Sequence, residues 1–168
     1  MGCGGLRYLA VPYTKKARKI SALLLRTITY KSKDILIPLY KALVRPILEY
    51  ANSVWCPYMR KHIDNIERIQ RNFTKRVNGL NELEYCERLK ILSLPSLEFR
   101  RLRGDLIEAY KILHNKYDPS TTKPLLTLDS NPKHSTRSNE LKLIKFRIKL
   151  KPYQMFFTNR VINIWKSS

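Results

Sequence analysis

The sequence is poor in acid. Its 168 residues include 13 Asp+Glu against 33 Lys+Arg, a formal charge of +20, with a pI of about 10.1. The aspartates are Asp34, Asp64, Asp105, Asp118 and Asp129, and no two adjoin. Two-metal phosphoryl transfer needs clustered carboxylates to hold its ions, and this spacing does not supply them. Glycine is scarce too: Gly2, Gly4, Gly5, Gly79 and Gly104 make no phosphate-cradling loop. His62, His114 and His134 stand apart from one another and from Cys3, Cys56 and Cys86, so no zinc spacing and no disulfide framework is legible. No Gly-x-Ser-x-Gly elbow or comparable nucleophile motif occurs. The chain by itself reads as non-catalytic, with no metal and no cofactor.

Long apolar runs are missing as well. The longest are a few residues, against the roughly 20 that a membrane span needs, so no transmembrane segment is expected. The first 15 residues lack the apolar core of a secretory leader. With three scattered cysteines, the expected setting is reduced and intracellular, nuclear or cytoplasmic.

What is present is positive charge on a chain able to fold. Hydrophobic residues make up 43%, enough apolar surface for a core. The surplus is +8 over residues 1–50, +3 over 51–100, +6 over 101–150 and +3 over 151–168. It thus concentrates in the first and last thirds. Such a surplus opposes compaction by self-repulsion, and its natural partner is a polyanion, either nucleic acid or an anionic membrane.

Periodicity predicts a mainly α fold: a helical bundle, a long loop and a small C-terminal strand–helix segment. Residues 1–13 read as irregular, 14–116 as helical, 117–139 as a Pro-, Ser- and Asn-rich loop or linker, and 140–168 as a basic strand followed by an aromatic helix. From Thr14 a helix turning 100° per residue puts Lys15, Lys19 and Arg26 within about 40° of one another, with Ile20, Leu24 and Ile28 opposite. Ser32 is placed to cap a second helix with Asp34 in its first turn, and Ile35, Leu39, Leu43, Ile47 and Tyr50 form its expected buried stripe. Pro46 should interrupt it. A third helix is expected over Arg60–Asn78, with Ile63, Ile66, Ile69, Phe73 and Val77 as seam and Gly79 as terminator. A short helix near Tyr85–Leu92 follows. Ser96 caps a long one to Asn115, with Phe99, Leu102, Leu106, Ala109, Tyr110 and Leu113 on one face. In 145–151 strict alternation puts Lys145, Arg147, Lys149 and Lys151 on one face of a strand.

The basic face Lys15, Lys19, Arg26 and the strand face Lys145, Arg147, Lys149, Lys151 are the candidate nucleic-acid contacts. Solvated surface and a lysine-protected strand edge are the alternatives. Trp55, Phe156, Phe157 and Trp165 read as core anchors rather than base-stacking platforms, and Cys56 and Cys86 as small hydrophobes. Arg100, Arg101 and Arg103 are expected to pair locally with Glu98, Asp105 and Glu108. Gly2 and Cys3 raise a lesser reading, a lipidated membrane-surface protein with Lys15–Lys19 as basic supplement, though Leu6 stands where Ser or Thr is favoured.

One succession of motifs is more specific. Leu39-Tyr40-Lys41-Ala42-Leu43-Val44-Arg45-Pro46-Ile47-Leu48-Glu49-Tyr50 precedes Val54-Trp55-Cys56-Pro57-Tyr58. Ile66-Glu67-Arg68-Ile69-Gln70-Arg71 and Glu87-Arg88-Leu89 follow, then Leu94-Pro95-Ser96-Leu97-Glu98-Phe99-Arg100-Arg101-Leu102-Arg103-Gly104-Asp105-Leu106. Their order and spacing, with Phe156-Phe157-x-x-Arg160-Val161-Ile162-Asn163-Ile164-Trp165, resemble the region downstream of the palm in non-LTR (LINE-type, jockey-like) retrotransposon reverse transcriptases. The resemblance covers roughly residues 14–166. It implies a thumb within Thr14–Asn78 that holds a template–primer duplex or element RNA. It also implies that the fingers, the palm and the catalytic Asp-Asp pair belong upstream of residue 1, so polymerase activity does not carry over to this chain. A stand-alone nucleic-acid-binding module from a repurposed or decayed element is the alternative.

Overall fold

The computed structural model describes residues 5–53, 57, 59–122, 125–128, 142–145, 147, 154 and 156–165, with side chains from Pro12 onward. These residues are mainly helical. The chain divides into two compact units, Met1–Arg101 and Leu102–Ser168.

The first unit begins with α1, Gly5–Thr27. This helix starts well before Thr14, so residues 5–13 are helical rather than irregular. Of the helix breakers in that stretch, Pro12 alone falls inside the helix, and Gly5 is its first residue. Ala17 and Leu24 are buried, and Ile20 and Ile28 pack half-buried on the same core, as the apolar face required.

Helix α2 spans Lys33–Leu39, with extended Ser32 at its N-cap and Asp34 in its first turn; the Ser32 side chain makes no capping bond. A π-helical turn, Tyr40–Val44, joins it to α3, Arg45–Glu49. Within that turn Arg45 N–H donates to the Tyr40 carbonyl, five residues back. The widened turn lies where Pro46, at the start of α3, would otherwise clash with the preceding turn. The buried stripe runs one residue out of step with the expected one. Leu36, Tyr40, Val44 and Leu48 are fully buried, Leu39 and Ile47 are half-buried, and Ile35, Leu43 and Tyr50 are exposed.

Helix α4, Arg60–Thr74, buries Ile66, Ile69 and Phe73, with Val77 just beyond it. Gly79 then adopts φ +78°, the left-handed conformation that ends a helix. The Asn78 N–H donates to the Lys31 carbonyl at 2.9 Å, fixing this turn to the α1–α2 connection. Helix α5, Tyr85–Ile91, opens on a capping box between Glu84 and Glu87. Helix α6, Leu97–Leu113, is capped by Ser96, whose hydroxyl accepts from the Phe99 N–H at 3.2 Å.

A buried polar network ties these helices. The Tyr40 hydroxyl donates to Gln70 Oε1 at 2.7 Å, and Gln70 Nε2 donates to the Pro95 carbonyl at 3.0 Å and to the Tyr85 hydroxyl at 3.1 Å. Tyr85 in turn donates to Glu67. Glu67 also accepts from the Leu97 N–H at 3.0 Å, so a carboxylate sits at the positive end of the α6 dipole. Burial, chiefly, raises the hydroxyl pKa of both Tyr40 and Tyr85 above the usual value near 10; at Tyr85 the hydrogen bond to Glu67 adds to it. Arg88 is buried at the C-terminal end of α4 and donates to the Leu83 carbonyl at 2.6 Å.

The arginines on α6 find distant partners. Arg100 pairs with Glu49, and Arg101, buried, donates to the Leu48 carbonyl, whereas Arg103 is exposed. Arg100 and Arg101 thus make tertiary bonds to α3.

In the second unit Ala109 and Ile112 of α6, Leu126, Leu143, and Val161 and Ile162 of α8 form a separate core. Here α7 is Pro119–Thr122 and α8 is Phe157–Trp165. Leu113, Phe157 and Trp165 pack half-buried against that core, while Phe156 is exposed. The boundary between the two units lies inside α6, whose C-terminal half contributes Ala109 and Ile112 to this second core. The expected apolar face also shifts: Phe99 and Tyr110 are exposed, and the buried line is Leu97, Arg101, Asp105, Ala109 and Ile112. The β structure among the described residues is one antiparallel bridge, Leu128–Leu143, beside a bond from the Ile144 N–H to the Thr127 carbonyl. This pairing precedes the segment expected as a strand. Lys145 and Arg147 are described without strand structure, and Lys149 and Lys151 lie outside the described residues, as do Trp55 and Cys56.

Candidate nucleic-acid interface

On α1 the buried residues Ala17 and Leu24 fix which side faces the core. Lys15, Lys19 and Arg26 project from the opposite side, and all three are exposed. Among the described residues none of the three meets a carboxylate. At 1.5 Å rise per residue they extend over about 16 Å, roughly five phosphate steps of one strand. The structure therefore brings these three together on one helical face. Lys145 and Arg147 are exposed in the other unit.

Sequence reasoning missed a second basic feature. A groove of about 920 Å³ opens between α1 and the C-terminal half of α4. Its α1 wall carries Arg18, Ser21, Ala22 and Leu25. The opposite wall carries Arg68 and Asn72, then Lys75 and Arg76 from the turn that Gly79 closes. Glu82 is the single carboxylate among the lining residues, and its Oε1 accepts from Asn81 Nδ2 at 2.6 Å. The Ser21 hydroxyl is buried and has no hydrogen-bond partner. Lys75 and Arg76 lie at the negative end of the α4 dipole, which offsets part of the repulsion among these cations.

The signal for half of this groove was present: Arg68, Asn72, Lys75 and Arg76 recur at i, i+4, i+7 and i+8. The modest net charge of residues 51–100 obscured it. The acids that lower that sum are spent elsewhere, as Glu67 is on Leu97 and Tyr85, and Glu98 on Arg60.

Among the described residues no group of three or more His, Cys, Asp or Glu side chains comes together to hold a metal ion. Among the same residues no helix is long and apolar enough to cross a membrane. Cys86, read from the sequence as a small hydrophobe, is exposed with a free thiol. Compared with protein-family models, curated proteins and solved structures, the chain gives no match.

Proposed function

We propose that this chain binds the phosphate backbone of nucleic acid as the thumb and post-thumb region of a LINE-type retrotransposon reverse transcriptase. It would contribute grip on a template–primer duplex or element RNA and no chemistry of its own. The observation that carries the reading is the row of exposed cations Lys15, Lys19 and Arg26 on the face of α1 opposite its core contacts. A helix so held is a rigid rail, and cations on it can neutralise phosphates without reading bases. The motif succession from Leu39 to Leu106 supports the family part of the reading. A stand-alone binding module from a repurposed element shares the same physics but not the preference for a primer–template.

The test is direct binding of the whole chain to a primer–template duplex and to a single strand of the same length, at fixed salt. Tighter binding to the duplex supports the thumb. Equal or tighter binding to the single strand supports the stand-alone module. No salt-dependent binding to either removes both.

A further inference from the structure

We infer that the α1–α4 groove is a nucleoside-phosphate site that takes the phosphorylated terminal nucleotide of a strand or a free mononucleotide. The inference deepens the nucleic-acid reading and rests on it for the source of the ligand, but the site is distinct from the outer face of α1.

Charge is the first argument. Arg18 from one wall and Arg68, Lys75 and Arg76 from the other face a groove with one carboxylate. Among the described residues none of these four side chains is ion-paired. Cations converging from two helices repel, and a dianionic phosphate monoester relieves that repulsion with charge-assisted hydrogen bonds to guanidinium groups.

Shape and lining are the second. At about 920 Å³ the groove is at the upper end of the range for small-molecule sites, far larger than one inorganic phosphate needs. Ala22 and Leu25 give it aliphatic surface on the α1 side, suited to a nucleoside body rather than to phosphate alone. Glu82 is a poor neighbour for a phosphate but a good acceptor for a ribose hydroxyl.

Ser21 is the third. A buried hydroxyl without a partner is uncommon, because it forfeits water and gains nothing in return. It lines this groove, and a polar group of the ligand would satisfy it.

The experiment uses the whole chain and a short 3′-fluorescein-labelled single strand bearing either a 5′-phosphate or a 5′-hydroxyl. Fluorescence anisotropy should show the phosphorylated strand binding about tenfold tighter, the size of one charged hydrogen bond. Arg68→Gln and Arg76→Gln should abolish that difference while leaving the 5′-hydroxyl strand bound. Adenosine monophosphate should displace the phosphorylated strand from the unsubstituted chain. Ser21→Ala should weaken adenosine monophosphate binding while raising Tm, the opposite of a variant that binds poorly because it misfolds. Equal affinity for both ends, or a phosphate preference that survives both arginine substitutions, overturns the proposal. If neither strand binds, the nucleic-acid reading fails, and calorimetric titration with adenosine monophosphate decides the groove alone: binding sustains it and no heat overturns it.

Discussion

The Arg160 Nε–H of α8 donates to the Asp105 carboxylate of α6 at 2.6 Å, with the Asp105 side chain 1% exposed. A carboxylate so buried has to be compensated by charge or hydrogen bonds, and Arg160 supplies one of them. The two residues lie 55 apart in the chain, so this bond holds the second unit's C-terminal helix to α6.

Removing one member of a buried ion pair costs about 3–5 kcal/mol. Arg160→Met should therefore destabilise the second unit by that order. Denaturant unfolding in a Trp55→Phe background, followed by Trp165 fluorescence, reads it. A loss below about 1 kcal/mol would mean that the pair is as dispensable as an exposed one.

Tyr40 and Tyr85 make stability fall at high pH. Burial holds both hydroxyls protonated in the folded chain past the value near 10 at which they ionise when unfolded. Above about pH 10 the unfolded state therefore binds fewer protons than the native state, and stability declines as pH rises. Below pH 10 the contribution is complete. Each hydroxyl contributes a slope of up to about 1.4 kcal/mol per pH unit, over a narrower pH range for the half-buried Tyr85, where solvent screens the shift. Unfolding midpoints between about pH 9 and pH 11 should decline more steeply for the unsubstituted chain than for the Tyr40→Phe/Tyr85→Phe variant. Parallel declines would assign the alkaline loss to lysines instead.

Gly79 tests the turn that carries one wall of the groove. Its φ is +78° and nothing lies within 4 Å of where a Cβ would stand, so alanine fits sterically but strains the backbone. Gly79→Ala should cost about 1–2 kcal/mol, read as a lower denaturant midpoint. An unchanged midpoint would mean that the turn relaxes out of the left-handed conformation at no cost.

Local signals carried much of the first unit. The seam Ile66, Ile69, Phe73, the terminator Gly79 and the Ser96 cap are each decided within a turn or two of chain, and each is found in place. The second helix was misphased by one residue. Ile35, Leu39, Leu43 and Ile47 form as good an apolar line as Leu36, Tyr40, Val44 and Leu48, so period cannot choose between them. The choice is made by Gln70, which accepts the Tyr40 hydroxyl thirty residues away and makes its burial affordable. The same holds on α6. Arg101 and Asp105 look like surface residues until the Leu48 carbonyl and Arg160 supply long-range partners. The outer basic face of α1 was legible from one helix wheel, whereas the groove needs Arg18 and Arg68 on different helices to be neighbours.

The central claim is that α1 grips phosphates through Lys15, Lys19 and Arg26. The most direct measurement is the salt dependence of duplex binding by the whole chain and by the Lys15→Glu/Lys19→Glu/Arg26→Glu variant. Each phosphate contact adds about −0.9 to the slope of log K against log salt. The account predicts weaker binding to every duplex sequence and a slope flattened by roughly 2.7 in the variant. An unchanged slope would contradict it and place the phosphate contacts elsewhere on the chain.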